Sequence, residues 1–210
     1  MKNNLLSDKL AYNGDTKTRT HLHLCSYTVD RVEEAAGDDF GEMKSRFQPD
    51  GITWLQIHGL EDTDAVQTVC THFGIDFLVM QDILNTDHAS KVEEHDQYNV
   101  IIAKQIMGGE AMQVSLVQGA DFVLTFQERD NDFFDDVMRA IRNNVLKIRT
   151  RQSDYLFSVL LNGLITGYMS VAAAISDGLE ELESALLADT GDRDIGVQTV
   201  SYTHLRAHET

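Results

Sequence analysis

Hydrophobic and polar positions change period several times along the chain, and each change predicts an element. From His21 onward, Leu22, Leu24 and Ser26 alternate with His21, His23 and Cys25 as they would in a strand, and the stretch from Val29 to Ala36 is placed to pair with it. Phe47-Gln48-Pro49-Asp50-Gly51 reads as a turn and carries the only proline; the β-rich run Ile52-Thr53-Trp54-Leu55-Gln56-Ile57 follows and is ended by Gly59. Asp62 or Thr63 caps a helix through Phe73, with Ala65, Val66, Val69 and Cys70 on one face and Gly74 suited to its C-terminal cap. A shorter helix covers Leu78 to Leu84. Three β-branched and aromatic runs, Tyr98 to Met107, Gln113 to Val117 and Phe122 to Gln127, are separated by Gly108-Gly109 and Gly119-Ala120-Asp121 at hairpin distances, so they predict a meander. Asn131 or Asp132 then caps a helix through about Leu146, whose last turn gains cations from Arg139, Arg142 and Lys147. Helices, then strands, then helices predict an α/β or α+β layered domain ending near residue 130 to 150.

The most regular pattern is the last. Leu161, Leu164, Tyr168, Ala172, Ile175, Leu179, Leu182 and Leu186 follow one another at spacings of 3, 4, 4, 3, 4, 3 and 4, a nearly unbroken heptad-like stripe. Ser153 to Leu187 therefore reads as one long helix of roughly 50 Å at about 1.5 Å per residue, within a segment at 151–188. Packing along the parent domain accounts for its first half; the second, with Asp177, Glu180, Glu181 and Glu183 off the stripe, needs a neighbouring helix to cover its leucines. Residues 1–20 are polar and aperiodic and read as a flexible leader ahead of a domain at 21–150. Residues 189–210 read as disordered, and 199–210, whose composition matches nothing before it, as a vector- or frame-derived tail.

Composition narrows the function classes. The net charge of −17 and a pI near 4.6 repel phosphate backbones and anionic headgroups, which argues against a nucleic-acid partner. Two distant cysteines, Cys25 and Cys70, suit reduced, buried positions in a cytoplasmic protein. No uninterrupted apolar run approaches the roughly 18 residues that cross a bilayer, and the N-terminus lacks the apolar block of a secretion signal, so the chain reads as soluble.

Phosphate-binding glycine loops, nucleophile elbows, His-Glu-x-x-His helices and EF-hand loops are absent, so no enzyme class is indicated. His21-x-His23 sends two imidazoles to one face of a strand, a geometry that can bind zinc, but two ligands are too few and no third is near in sequence; exposed histidines are the favoured reading. The densest oxygen and imidazole cluster is Asp82, Asp87, His88, Glu93, Glu94, His95 and Asp96, most of which a charged loop and an edge strand explain. Asp82 differs. It lies among Leu78, Val79, Ile83 and Leu84 on a short helix, where a carboxylate needs a helix N-terminal donor, a partner or a metal.

Trp54 to Gly59, His72-Phe73-Gly74-Ile75, Asp82-Ile83-Leu84-Asn85, Lys91-Val92-Glu93, Val114-Ser115-Leu116, Val123 to Glu128, Ile141-Arg142-x-Asn144, Ile148-Arg149 and Asp154-Tyr155-Leu156 occur in that order. Together they resemble the cytosolic domain of the CorA family of divalent-cation channels, pentameric proteins that move magnesium and sometimes cobalt or nickel. The resemblance runs from about residue 21 to 187. It implies an α/β fold, namely an α/β/α layered domain with a mixed, partly antiparallel sheet, followed by a long stalk helix that continues into two transmembrane helices with a Gly-Met-Asn pore signature. That signature is missing here, so the resemblance implies a soluble piece that ends partway along the stalk, from the cytoplasmic face of the inner membrane. It also implies a regulatory role: divalent cations, Mg2+ with Co2+, Ni2+ or Zn2+ as alternatives, bound between subunits of a homopentamer hold the closed state. Asp82 falls on the position of the aspartate that binds the regulatory ion. The glutamate usual before it is Gln81, and the aspartate expected on the stalk is Asn162, so two carboxylates are replaced by neutral amides and binding within this chain is expected to be weak.

Two other readings compete. A zinc-transporting relative would share the architecture. A soluble acidic helical adaptor with no metal role would explain charge and stripe without explaining Asp82.

Overall fold

The computed structural model describes residues 9–107 and 109–188, with the side chains of Met107, Leu187 and Ala188 excepted. Seven strands, β1 (His21–Tyr27), β2 (Val32–Gly37), β3 (Ile52–His58), β4 (Lys91–Glu94), β5 (Tyr98–Met107), β6 (Glu110–Gly119) and β7 (Phe122–Gln127), form one sheet in the order β2-β1-β3-β7-β6-β5-β4. Only the β3–β7 pair is parallel, so the sheet is mixed: a hairpin and the β4 to β7 meander joined through β3. The charged run 91–94 is one of the two edge strands, where Lys91, Glu93 and Glu94 blunt an open row of backbone donors and acceptors.

Helices α1 (Phe40–Lys44), α2 (Thr63–His72) and α3 (Phe77–Leu84) pack on one face, where Leu22, Leu24, Leu55, Ile57, Val66, Val69, Val79 and Ile83 are buried together. Helices α4 (Asp135–Arg142) and α5 (Ser153–Ala188) bring Ile141, Leu156, Leu160 and Leu164 to the other face against Trp54, Val114, Leu116 and Val123. This is a three-layer α/β/α arrangement. The period-two strands supply both faces because alternate side chains point opposite ways.

The capping chemistry follows the sequence at α2. Asp62 accepts a hydrogen bond from Ala65 N at 3.0 Å, and Gly74, at φ +69°, takes the left-handed position after the helix while Ile75 N donates to Cys70 O. At α4 it does not. The helix expected from Asn131 or Asp132 through Leu146 starts at Asp135 and stops at Arg142. Asn144 turns left-handed at φ 50°, and Leu146 and Lys147 also have positive φ inside a 3₁₀ segment, Val145–Thr150. Helix-forming residue types there yield to a turn that leads into Ser153, whose buried hydroxyl is bonded to Gly119 O at 2.5 Å and anchors the start of α5 on the β6–β7 turn.

Residues 9–20 hold no helix or strand but are fastened to the domain: Leu10 and Tyr12 pack against the core, Asn13 N donates to Leu84 O, and Thr20 Oγ1 donates to Gly59 O at 2.8 Å. Gly59 sits at φ +77°, and a Cβ there would lie 2.4 Å from Thr18 O, so glycine is required both by the backbone and by the segment crossing it. The disordered segment and tail expected at 189–210 lie outside the described residues.

The chain divides into two compact units, the first ending at Ile165 and the second beginning at Thr166. In the second, Met169 and Ile175 are more than half exposed, and Leu182 is exposed as well. The helix from Ser153 to Leu186 is long and apolar enough to cross a membrane by length and composition, although Asn162, Gly163 and Thr166 interrupt its apolar run. Its buried Leu156, Leu160 and Leu164 pack one face of the first half against the sheet of the layered domain.

Candidate functional site

Helix α3 is apolar on most sides, with Val79, Met80, Ile83 and Leu84 buried, and Asp82 is its acidic residue in the last turn, the end where the helix dipole disfavours negative charge. The structure supplies the partner that the sequence demanded. Lys91 Nζ, from the edge strand β4, donates to Asp82 Oδ2 at 2.5 Å, and His88 Nε2 lies 3.3 Å from Oδ1. Gln113 of β6 donates to the main-chain oxygens of Asp82 and Ile83, closing the helix end.

The network continues along β4. Residues 91, 93 and 95 share one side of the extended chain: Lys91 also reaches Glu93 at 2.9 Å, Glu93 lies 3.7 Å from His95, and His95 stacks on Tyr98 and lies 3.4 Å from Asp76. The hydrogen bond from Lys91, with its charge, holds the Glu93 carboxyl below its usual range. Burial works to lower the Lys91 ammonium, but the hydrogen bonds to Asp82 and Glu93 outweigh it and leave it raised. Much of the oxygen and imidazole cluster seen in the sequence is therefore a charge ladder on an edge strand, with Asp82 as its most enclosed member.

A hard cation takes six oxygens, several of them waters, and here it would meet the Asp82 and Glu93 carboxylates, which share the Lys91 ammonium between them, beside the neutral and buried Gln81. Asn162 is exposed on α5.

The histidines fall differently from the sequence reading. His21 pairs with Asp38 at 2.6 Å, but His23 is half-buried, and the β1–β3 register sets it beside His58, which is 2% exposed. Asp130, just past β7, reaches His58. Burial lowers both the His23 and His58 imidazoles from their usual value, His21 adding to the effect at His23, while Asp130 opposes it at both. His58 and Asp130 had no signal in the sequence, because strand pairing alone brings them to His23.

Fold and site thus define a layered α/β domain that leads into a long helix, with a ladder of acidic and basic side chains along one edge strand. The family model for the CorA-like Mg2+ transporter protein matches residues 49–207, and the chain belongs to that family. It is 32% identical over 192 residues, 89% of its length, to the cobalt/magnesium transport protein CorA of Thermotoga maritima, and covers 55% of that relative. The chain thus spans about half the length of the curated relative it matches. Its fold is shared with the complete CorA magnesium transporter of Methanocaldococcus jannaschii, at a TM-score of 0.59 and 19% identity over 83% of this chain and 53% of that one. The soluble domain of the same transporter matches at a TM-score of 0.56 and 18% identity, covering 82% of this chain and 67% of that one. The mixed sheet followed by a long C-terminal helix is the fold of that soluble domain.

Proposed function

We propose that this chain is the cytosolic, divalent-cation-sensing part of a CorA-like magnesium/cobalt channel at the cytoplasmic face of the inner membrane. It would act without catalysis of its own, and the pore would be formed by membrane-spanning helices of the full-length protein. The observation that carries the reading is the 32% identity with a cobalt/magnesium transport protein across 89% of the chain. In this reading residues 21–150 form the sensing domain, residues 151–188 the proximal stalk, and the assembly is a homopentamer.

Asp82 is the regulatory ligand in this reading, and its chemistry follows from its partners. In one chain, the Lys91 ammonium occupies the Asp82 carboxylate and is shared with Glu93, so a cation has to displace it. A divalent cation gains at Asp82 only where a neighbouring subunit adds carboxylates, since two or more anionic oxygens outbid one ammonium and one carboxylate contact does not. The cation would then hold two subunits together, and its loss would return Asp82 to Lys91 and free the interface to move.

The test is calorimetric titration of Mg2+ into this chain and into Asp82→Ala, together with transport by the full-length channel carrying the same substitution. Little Mg2+ binding to the chain, with a changed Mg2+ dependence of transport in the full-length variant, supports the reading. Saturable micromolar binding by the chain that vanishes in Asp82→Ala would mean that the site is complete within one subunit and would refute the intersubunit role. An unchanged transport response would remove Asp82 from regulation.

A further inference from the structure

In the antiparallel β1–β3 pair, His21 faces His58 and His23 faces Gln56, so the histidines of β1 and the histidine ending β3 share one face of the sheet. On that face the His23 and His58 rings stand 5.0 Å apart, centroid to centroid, inclined at 57°. Asp130 brings Oδ1 to 3.2 Å from His58 Nδ1. One nitrogen from each ring and one Asp130 oxygen all lie within 4.8 Å of one another.

We propose that His23, His58 and Asp130 form a binding site for one divalent transition cation of the Zn2+ or Co2+ class, separate from Asp82.

The donor set selects the metal. Two imidazoles and a carboxylate suit borderline cations, whereas Mg2+ takes oxygen ligands and gives up its water reluctantly. Ligand atoms about 2.1 Å from a tetrahedral metal lie roughly 3.4 Å apart, so the three donors must close by little more than an ångström. Asp130 is already within that distance of His58, so the closure falls to the half-buried His23 together with Asp130, whose side chain is 62% exposed, while the buried His58 stays as the fixed floor.

Among the polar groups around the site, the Arg129 main-chain oxygen lies 3.4 Å from His58 Nδ1, so a cation either displaces that contact or takes Nε2; the other groups favour a cation. His23 Nε2 is buried and has no hydrogen-bond partner, a cost that a bound cation would relieve. Arg142, on the wall of the same cleft, does not occupy Asp130, because its guanidinium is held in a two-point contact by Glu34 at 2.9 and 2.6 Å. His21 is likewise engaged, by Asp38. The cleft, about 400 Å³ and lined also by Gln56, Asn131 and Asp135, leaves space for a water or a fourth oxygen on the metal.

The test is titration of the chain with Co2+, followed by visible absorption, and with Zn2+, followed by calorimetry. The expected result is one ion per chain, a Co2+ spectrum of low coordination number, and no displacement by millimolar Mg2+. Loss of even an outer partner of a metal ligand typically costs about 10- to 100-fold in affinity, so Asp130→Asn and His23→Gln should each weaken binding by at least that much. Both positions avoid the fully buried His58, and circular dichroism confirms that the variants fold. Asp82→Ala should bind the ion as the parent does. His204 and His208 are present in every variant, so binding that survives both Asp130→Asn and His23→Gln lies elsewhere and overturns the proposal. Absence of saturable binding, displacement by Mg2+, or loss of binding in Asp82→Ala would overturn it as well.

Discussion

Replacing Lys91 by glutamine tests the charge ladder that encloses Asp82. The ammonium contacts two carboxylates, Asp82 at 2.5 Å and Glu93 at 2.9 Å, with side-chain exposures of 20% for Lys91, 21% for Asp82 and 38% for Glu93. An exposed pair is worth about 0.2–1 kcal/mol and breaking a fully buried one costs about 3–5 kcal/mol. With about four-fifths of Lys91 and Asp82 covered, and His88 still beside Asp82, the loss should be about 1–2 kcal/mol, or roughly 2–8 °C in Tm for a chain of this size.

The pH dependence gives the sharper signature. Glu93 is held below its ordinary value of 4.5, so its contribution is present above that pH and is lost as pH falls through the lower folded-state value. Lys91 is raised above its ordinary 10.5, so its contribution is present below that pH and is lost as pH rises through the higher folded-state value. The stability difference between parent and Lys91→Gln should therefore be flat at neutral pH and shrink at both the acid and the alkaline end. Urea denaturation at a series of pH values measures it. A variant as stable as the parent throughout, or a difference that grows toward acid, would refute the reasoning.

How far the sequence reaches depends on whether a signal is local. The strand runs were legible because β-branched residues and a period of two coincide in them, and α2 was legible because Asp62 and Gly74 mark both of its ends. Helix α1 was not, since it spans five residues with only Met43 buried, too short to display a period. The end of α4 was overrun because nothing in the types of Asn143, Asn144 and Val145 announces that Asn144 turns left-handed. The site divides in the same way. Asp82 stood out as a carboxylate among apolar helix residues, but Lys91 as its partner depends on how the edge strand packs on α3, a tertiary fact. His23 was visible as half of a pair, whereas His58 joins it through the β1–β3 pairing and Asp130 through the β3–β7 pairing, contacts that leave no mark at any fixed sequence spacing.

The remaining predictions concern the frame and the long helix. Gly59→Ala should lower stability by about 2 kcal/mol or more, seen as a lower urea midpoint, because the added Cβ meets Thr18 O at 2.4 Å and the backbone sits at φ +77°. Leu160→Ala should cost about 2–5 kcal/mol as a fully buried leucine, and Leu182→Ala, 45% exposed, about 0.5 kcal/mol or less, so equal midpoints for the two would contradict the burial of only the first half of α5. Self-association should be weak at low ionic strength and strengthen with salt: the stripe through Tyr168, Ile175, Leu179 and Leu182 offers apolar surface, but a charge of −17 on every copy opposes contact until counterions screen it. Light scattering at low and high salt measures this, Leu179→Glu should abolish the salt-induced rise by placing a carboxylate on the stripe, and a stable pentamer of the parent chain at low salt and micromolar concentration would show that the apolar stripe outweighs the charge.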